Sequence, residues 1–265
     1  MGITNVIRGE DHLSNTPKQV LIFNAINKEI PTFTHVSMIL GKDKAKLSKR
    51  HGAESIKNFK ESGYMAIGII NYLARLGWSH GNQEIFNLDE MINLFSLDNL
   101  SKSPAIFDTE KLTSLNGVHI RSMDNETLIK LAQDTLPKEP DNKNKLNNKK
   151  LSKIIPLIKE RIKSIDEIYP SIKFFFIYTK PKKSIIKCGA LDDNEVKEIL
   201  NKLVTDLNAL LEKDNKTHAD IEKLLRDNCE NLGLKLRDYL GLVRNCITGA
   251  EVSPPLFESI EISEI

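Results

Sequence analysis

Two short stretches hold the densest collections of reactive side chains. "VIRGEDHLSNTP" sets Arg8, Glu10, Asp11 and His12 side by side, between an apolar "ITNVI" that reads as a strand and a "SNTP" that reads as a helix start. Ligands of open α/β sheets bind at such strand-to-helix junctions. Arg8 carries a planar fork that can hold a carboxylate, and Asp11 can accept from an ammonium or a ribose hydroxyl. A surface turn with local ion pairs would have the same residues. The second stretch, "KAKLSKRHGA", gathers Lys44, Lys46, Lys49 and Arg50 around Ser48, directly after "FTHVSMILG", which reads as one short strand. Flexible ammonium groups with a hydroxyl suit a phosphate chain whose charge moves during phosphoryl or nucleotidyl transfer. A solvated lysine-rich loop fits the composition equally. His35, on the apolar strand, reads as a structural histidine.

The elements that must position these groups follow from periodicity. "SNTPKQVLIFNAI" reads as a helix, which makes a strand-loop-helix unit with the "ITNVI" strand. After the basic loop, "SIKNFKESGYMAIGIINYLARLGWS" carries Ile67, Ile70, Leu73 and Leu76 at helical spacing and stops at Gly77. "NLDEMINLFS" and "DTEKLTSLNGVHIRS" add helices with Asn87 and Asp108 as caps. From residue 122 onward the periodic segments are helical: "DNETLIKLAQDTL", "NKKLSKIIPLIKERIKSI", "DDNEVKEILNKLVTDLNALLEKD", "THADIEKLLRDNCENLG" and "KLRDYLGLVRNCITG". "PKEPDNKNKLNN" and "YTKPKKSIIKCGALDD" read as breaks between them.

The totals narrow the class. The formal net charge of +2 conceals an asymmetry: 15 basic and 15 acidic side chains over residues 1–137, 14 and 5 over 138–187, and 9 and 16 over 188–265. A basic middle block interleaved with "FFFIY" suits a polyanion such as RNA, or a lysine-rich solvated face. The apolar runs are too short to span a bilayer and the N-terminus lacks a signal-peptide layout, so the expected compartment is the cytoplasm, with no membrane partner. Three widely spaced cysteines support neither a disulfide framework nor a zinc ribbon. No P-loop, His-Glu-x-x-His or Gly-x-Ser-x-Gly occurs, and the scattered histidines predict no metal site.

Taken in order, "VIRGEDHLSNTPKQ", "KLSKRHGA", "NYLARLGWSHGNQEIF", "FDTEKLTSLNG" and "LVRNCITGAEVSPPLFE" closely resemble the C-terminal part of bacterial-type glutamyl-tRNA synthetases, class I aminoacyl-tRNA synthetases. The resemblance covers essentially the whole chain and implies a mainly α fold. It divides the chain into the end of a Rossmann-type catalytic domain (1–24), a helical stem-contact domain with the signature loop (25–122), and two all-α anticodon-binding subdomains (123–188 and 189–265). The implied activity is activation of glutamate with ATP, as its Mg2+ complex, and transfer to the 3′ end of tRNA(Glu). Whether tRNA(Gln) is also a substrate stays open, and a monomer is expected.

By the same resemblance, "KLSKR" corresponds to the signature loop written KMSKS, with Leu47 at the Met position. Lys46 and Lys49 would contact the triphosphate as the catalytic pair, Ser48 and Arg50 would shape the loop, and Met38 and Ile39 would lie near the adenine. Arg8 would bind a carboxylate of glutamate, Asp11 would face substrate or ribose, and His12 would line the amino-acid pocket. Arg161 sits where relatives read the third anticodon base, and Arg244, Ser253, Pro254 and Leu256 match other anticodon contacts. The family's first half, with its His-Ile-Gly-His-type ATP motif, has no counterpart in these residues. The expectation is a piece of a longer protein that is inactive by itself; the alternative function is a non-catalytic tRNA-binding module. "ESIEISEI" also lacks the basic final helix usual in relatives. A glutaminyl relative would carry a β-barrel anticodon region, and the short paralogue that glutamylates a modified base lacks an anticodon domain; neither fits a helical chain that continues past residue 122.

Overall fold

A computed structural model describes residues 2–47, 55–135, 148–212 and 217–263. The chain divides into two compact units, Met1–Ser122 with Lys163–Ile165, and Met123–Ile162 with Asp166–Ile265. Among the described residues no helix is long and apolar enough to cross a membrane.

The first unit opens with β1 (Asn5–Gly9), which pairs in parallel with β2 (Thr32–Val36), Arg8 opposite His35 and Gly9 opposite Val36. A parallel pair requires a crossover. Here a 3₁₀ turn over Glu10–Asn15 feeds α1 (Thr16–Ala25), with Pro17 preset for the first helical turn. No residue of α1 is buried. Leu21 and Ile22 stand exposed on it and Ile26 just after it, with Ile3 exposed before β1 and Ile7 exposed within it.

"FTHVSMILG" forms two strands and not the one that its apolar character predicts. The chain changes ladder at Met38, whose amide donates to the Glu10 carboxylate (3.1 Å) and whose carbonyl accepts from Ala105 (3.1 Å). After it, β3 (Ile39–Leu40) pairs in parallel with β4 (Ala105–Ile106). β3 then reverses in a tight turn. The Gly41 amide donates to the Ala45 carbonyl (2.8 Å), Lys44 takes the left-handed conformation at φ 61°, and Lys46 lies opposite Leu40 in an antiparallel bridge.

The stretch from Ser55 to Trp78 breaks into α2 (Ile56–Glu61) and α3 (Ala66–Gly77). Gly63, at φ 74°, supplies the positive-φ turn between them that a side chain would resist. The face that α3 buries is Gly68, Ile69, Asn71 and Tyr72, while Ile70 and Leu73 are exposed. The reason is its partner, α5 (Thr109–Ser122), which approaches so closely at Gly68 that an added Cβ would collide with the Asn116 side chain. Asn116 Oδ1 accepts from the Met65 amide (2.9 Å), an orphan donor at the start of α3, and its Nδ2 donates to the Lys163 carbonyl (2.6 Å). One turn along, Asn71 Nδ2 donates to the Glu84 carbonyl, and its Oδ1 accepts from the Phe86 amide (3.0 Å) and His119 Nε2 (2.9 Å). With Oδ1 as acceptor, His119 carries a proton on Nε2. Burial lowers the His119 pKa from its ordinary value. α4 (Leu88–Leu94) begins on a capping box made by Asn87 and Glu90, and the Asp108 carboxylate accepts from the Glu110 and Lys111 amides at the start of α5, as the sequence predicts for both caps.

The second unit has helices joined by turns and loops, with no strand among its described residues. α6 (Asn125–Thr135), α7 (Asn148–Lys159) and the short α8 (Ile168–Ile172) enclose Leu128, Ala132, Leu151, Ile154, Ile155, Ile158 and Ile168, all buried. α7 ends at Lys159, earlier than the periodicity of "NKKLSKIIPLIKERIKSI" implies, and the Arg161 amide closes a turn on the Ile158 carbonyl (2.8 Å). The rest is α9 (Asp193–Leu211), α10 (His218–Asn231), α11 (Leu236–Thr248) and α12 (Leu256–Ile262), packed around Leu203, Ile221, Leu225, Tyr239, Leu242 and Ile260. Capping boxes at Asp192 and Thr217 fix where α9 and α10 begin. The turn after α11 passes through Gly249 at φ 72°. No strand follows Ile106 among the described residues.

Candidate functional sites

In the first unit the two reactive stretches come together. Lys46 Nζ stands 2.5 Å from Asp11 Oδ2, joining the turn after β3 to the 3₁₀ turn after β1. The hydrogen bond from Lys46 holds the Asp11 carboxyl below its ordinary pKa, against a partial opposing effect of desolvation. A Cβ at Gly9 would stand 2.5 Å from Asp11 Oδ1, so a side chain there would displace the carboxylate from its present position. The pair is substantially exposed, 61% at Lys46 and 36% at Asp11. Its strength is modest, and an incoming polyphosphate could compete for the ammonium.

Arg8 is held from three sides. Its Nη2 donates to Thr16 Oγ1 (2.8 Å), its Nε donates to His35 Nε2 (3.3 Å), and its guanidinium lies 5.0 Å from the Phe33 ring centroid. Accepting from Arg8 fixes the neutral His35 tautomer with its proton on Nδ1. His35 is structural, as its place on the strand predicts, and what it orients is Arg8. Thr16, which lies in the same stretch but is not one of its predicted site residues, completes the hold. Glu10 is likewise a positioning residue, through the Met38 amide.

The remaining candidates of this unit are more loosely placed. His12 Nδ1 lies 3.4 Å from Asn15 Nδ2 and is exposed. Met38 has both backbone groups engaged, and Ile39 is 36% exposed on β3. Ser48, Lys49 and Arg50 lie outside the described residues. Among the described residues no cluster of three His, Cys, Asp or Glu side chains forms a metal cage.

The second unit presents a cavity of about 460 Å³ whose lining includes Arg161, Glu167, Lys173, Phe174, Ser253 and Pro254. Arg161 projects from the turn after α7, and its Nη1 donates to the Ser253 carbonyl (2.6 Å). The guanidinium is thereby aimed across the cavity by a residue 92 positions away. Lys173 adds a second cation and Phe174 an aromatic face, a combination suited to an unstacked nucleobase and its phosphate. Pro254 is buried. Leu256 is 4% exposed and belongs to the apolar core at the start of α12. Arg244 is half-buried on α11, its carbonyl accepting from Thr248 Oγ1 (2.9 Å), and it does not line this cavity. Arg161, Ser253 and Pro254 thus come together while Arg244 and the Leu256 side chain stand apart.

Comparisons with known proteins divide the chain in the same way. Residues 1–114 match the model for tRNA synthetases class I (E and Q), catalytic domain, and residues 127–263 match that for an anticodon binding domain. The glutamate–tRNA ligase of Syntrophobacter fumaroxidans is 38% identical over 266 residues, covering 99% of this chain and 55% of that protein. That of Thermodesulfovibrio yellowstonii is 39% identical over 268 residues, covering 99% and 56%. Among solved structures, a glutamate tRNA ligase from Elizabethkingia meningosepticum in complex with its amino acid superposes with a TM-score of 0.78 at 28% identity, over 98% of this chain and 54% of that one. The chain therefore spans about half the length of the relatives it matches.

Proposed function

The chain belongs to the glutamate–tRNA ligase family of class I tRNA synthetases, and from that premise we propose that it supplies the ATP-phosphate loop and the tRNA-binding body of a cytoplasmic enzyme that joins glutamate to tRNA(Glu). The observation that carries the reading is the convergence of Lys46 on Asp11, because it brings the first residue of the signature motif to the junction where Arg8 is held ready for a carboxylate. On this reading Lys46, and Lys49 beyond the described residues, neutralise charge that grows on the triphosphate as glutamate attacks the α-phosphate. Magnesium arrives with ATP as part of the substrate. Arg8 takes a carboxylate of glutamate in its fork. Asp11 has two duties in sequence: it holds Lys46 while the site is empty, and then accepts from substrate once the ammonium turns to phosphate.

The stem-contact role of residues 25–122 and the anticodon role of 123–265 belong to the same proposal. Arg161, aimed by Ser253, reads the third anticodon base, and the helical second unit supports a glutamyl and not a glutaminyl assignment. These 265 residues carry the Lys46 side of the ATP site without a His-Ile-Gly-His-type motif, so this chain gives no glutamate-dependent ATP–pyrophosphate exchange by itself. Exchange at an ordinary rate would sink that claim.

The second reading is a tRNA-binding module without catalysis, and it is favoured for this exact chain by the intact cavity at Arg161. A filter-binding titration with tRNA(Glu) separates the two parts of the proposal. Binding that weakens as salt rises supports the RNA-facing role whatever the exchange assay gives. In a longer protein that performs the reaction, Arg161→Gln narrows the preference for tRNA(Glu) over tRNA(Gln), read as a ratio of kcat/KM; an unchanged ratio removes Arg161 from that role.

A further inference from the structure

Beside the Arg161 cavity the second unit has a second concavity, a groove of about 410 Å³. Phe174, Phe176, Tyr178, Leu200, Val204 and Cys246 are among its walls. Phe174 lines both, so the two openings share one aromatic side chain as a wall. The groove is strongly apolar yet open. Tyr178 is 74% exposed and Val204 on α9 is 57% exposed, so both present apolar surface to solvent at one groove.

The segment that builds this wall is also one-sided in charge. From Ile168 to Leu191 the chain has five lysines, Lys173, Lys180, Lys182, Lys183 and Lys187, and no acidic residue. Lys183 is occupied by Asp193 at 2.7 Å, while Lys180 and Lys182 are exposed immediately after Tyr178. The loop that presents Tyr178 is seated on the scaffold. Gly249, already required by its φ of 72°, approaches so closely that a Cβ there would stand 3.0 Å from the Thr179 carbonyl. An exposed aromatic ring on a fixed support, flanked by cations and free of acids, is the arrangement that stacks bases of single-stranded nucleic acid.

We infer that the Phe174–Tyr178 groove is a second base-binding surface. A nucleobase splayed from the same RNA loop that engages the Arg161 cavity stacks on Tyr178 over Val204, with Lys180 and Lys182 meeting the flanking phosphates. The inference rests on the RNA-binding reading of the second unit and adds to it a contact made by stacking.

The test is filter binding of the 265-residue chain to a tRNA(Glu) transcript over a salt series. Tyr178→Ala weakens binding about tenfold with the slope against salt unchanged, and Tyr178→Phe retains it, because stacking needs the ring and not the hydroxyl. The Lys180→Gln/Lys182→Gln pair lowers the salt slope by about one to two. Tyr178 is exposed, so circular dichroism melts of these variants match the parent. Tyr178→Ala binding within twofold of the parent, while Arg161→Gln still weakens it, overturns the groove and leaves the Arg161 reading in place. If the parent shows no salt-dependent binding, the RNA reading itself falls and the groove with it. Unchanged RNA binding together with loss of self-association in sedimentation velocity makes the groove a seat for a protein, which also overturns the inference.

Discussion

At the residue scale, Lys46 and Asp11 form an exposed ion pair that contributes little to the fold, and its weight on the proposed reading is in function. Asp11→Asn leaves the thermal midpoint of the chain nearly unchanged, because both partners are substantially solvated. Lys46→Ala in a longer, active protein lowers the exchange rate by about a hundredfold to a thousandfold, the scale of losing one preorganised charge at a transition state. His119 behaves oppositely. Its buried Nε2–H serves Asn71, and its pKa is lowered in the folded state. The unfolded chain therefore takes up the proton first. Stability of the first unit is full above the ordinary histidine range and declines as pH falls through about 6.5. Urea titrations at pH 7.5 and 5.5 check this, and His119→Gln should flatten the difference if this histidine is the cause.

At the scale of elements, the α3–α5 contact is where a glycine and an asparagine are mutually required. Gly68→Ala puts a methyl group into Asn116 and costs about 1–3 kcal/mol. Asn116→Ala leaves the Met65 amide and the Lys163 carbonyl without their partner and costs a similar amount, about 1–3 kcal/mol, by denaturant titration. This contact also marks the limit of what periodicity could tell. The helix ending at Gly77 and the caps at Asn87 and Asp108 were legible, since capping chemistry is local. The buried face of α3 was not legible, because that depends on how closely α5 approaches at Gly68. "FTHVSMILG" likewise looked like one strand because its apolar character runs across Met38, and nothing local announces that Glu10 and Ala105 pull the backbone into a different ladder. The site divides along the same line. Arg8, Asp11 and Lys46 were visible as residue types at suggestive places, whereas the Asp11–Lys46 contact and the roles of Thr16 and His35 required the parallel register of β1 and β2. Arg161 drew its meaning from resemblance, and its tether to Ser253 spans a separation no spacing rule reaches.

At the scale of the whole molecule, charge is distributed by segment, and the basic residues 138–187 contribute both Arg161 and the lysines beside Tyr178. RNA affinity should accordingly depend far more on that block than on the acidic residues 188–265. Reversing any two of its exposed lysines to glutamate should weaken tRNA binding more than removing two acids from α9 strengthens it; the reverse order would contradict the assignment. The uncovered side of α1 bears on the chain's behaviour in a tube. Leu21, Ile22 and Ile26 are exposed, as are Ile3 and Ile7, and the chain's isoelectric point is about 8.3. In buffers near that pH little net repulsion keeps such surfaces apart. Turbidity should peak there, and Leu21→Glu with Ile22→Lys, which adds one charge of each sign without changing the net, should suppress it while leaving the melting of the second unit untouched.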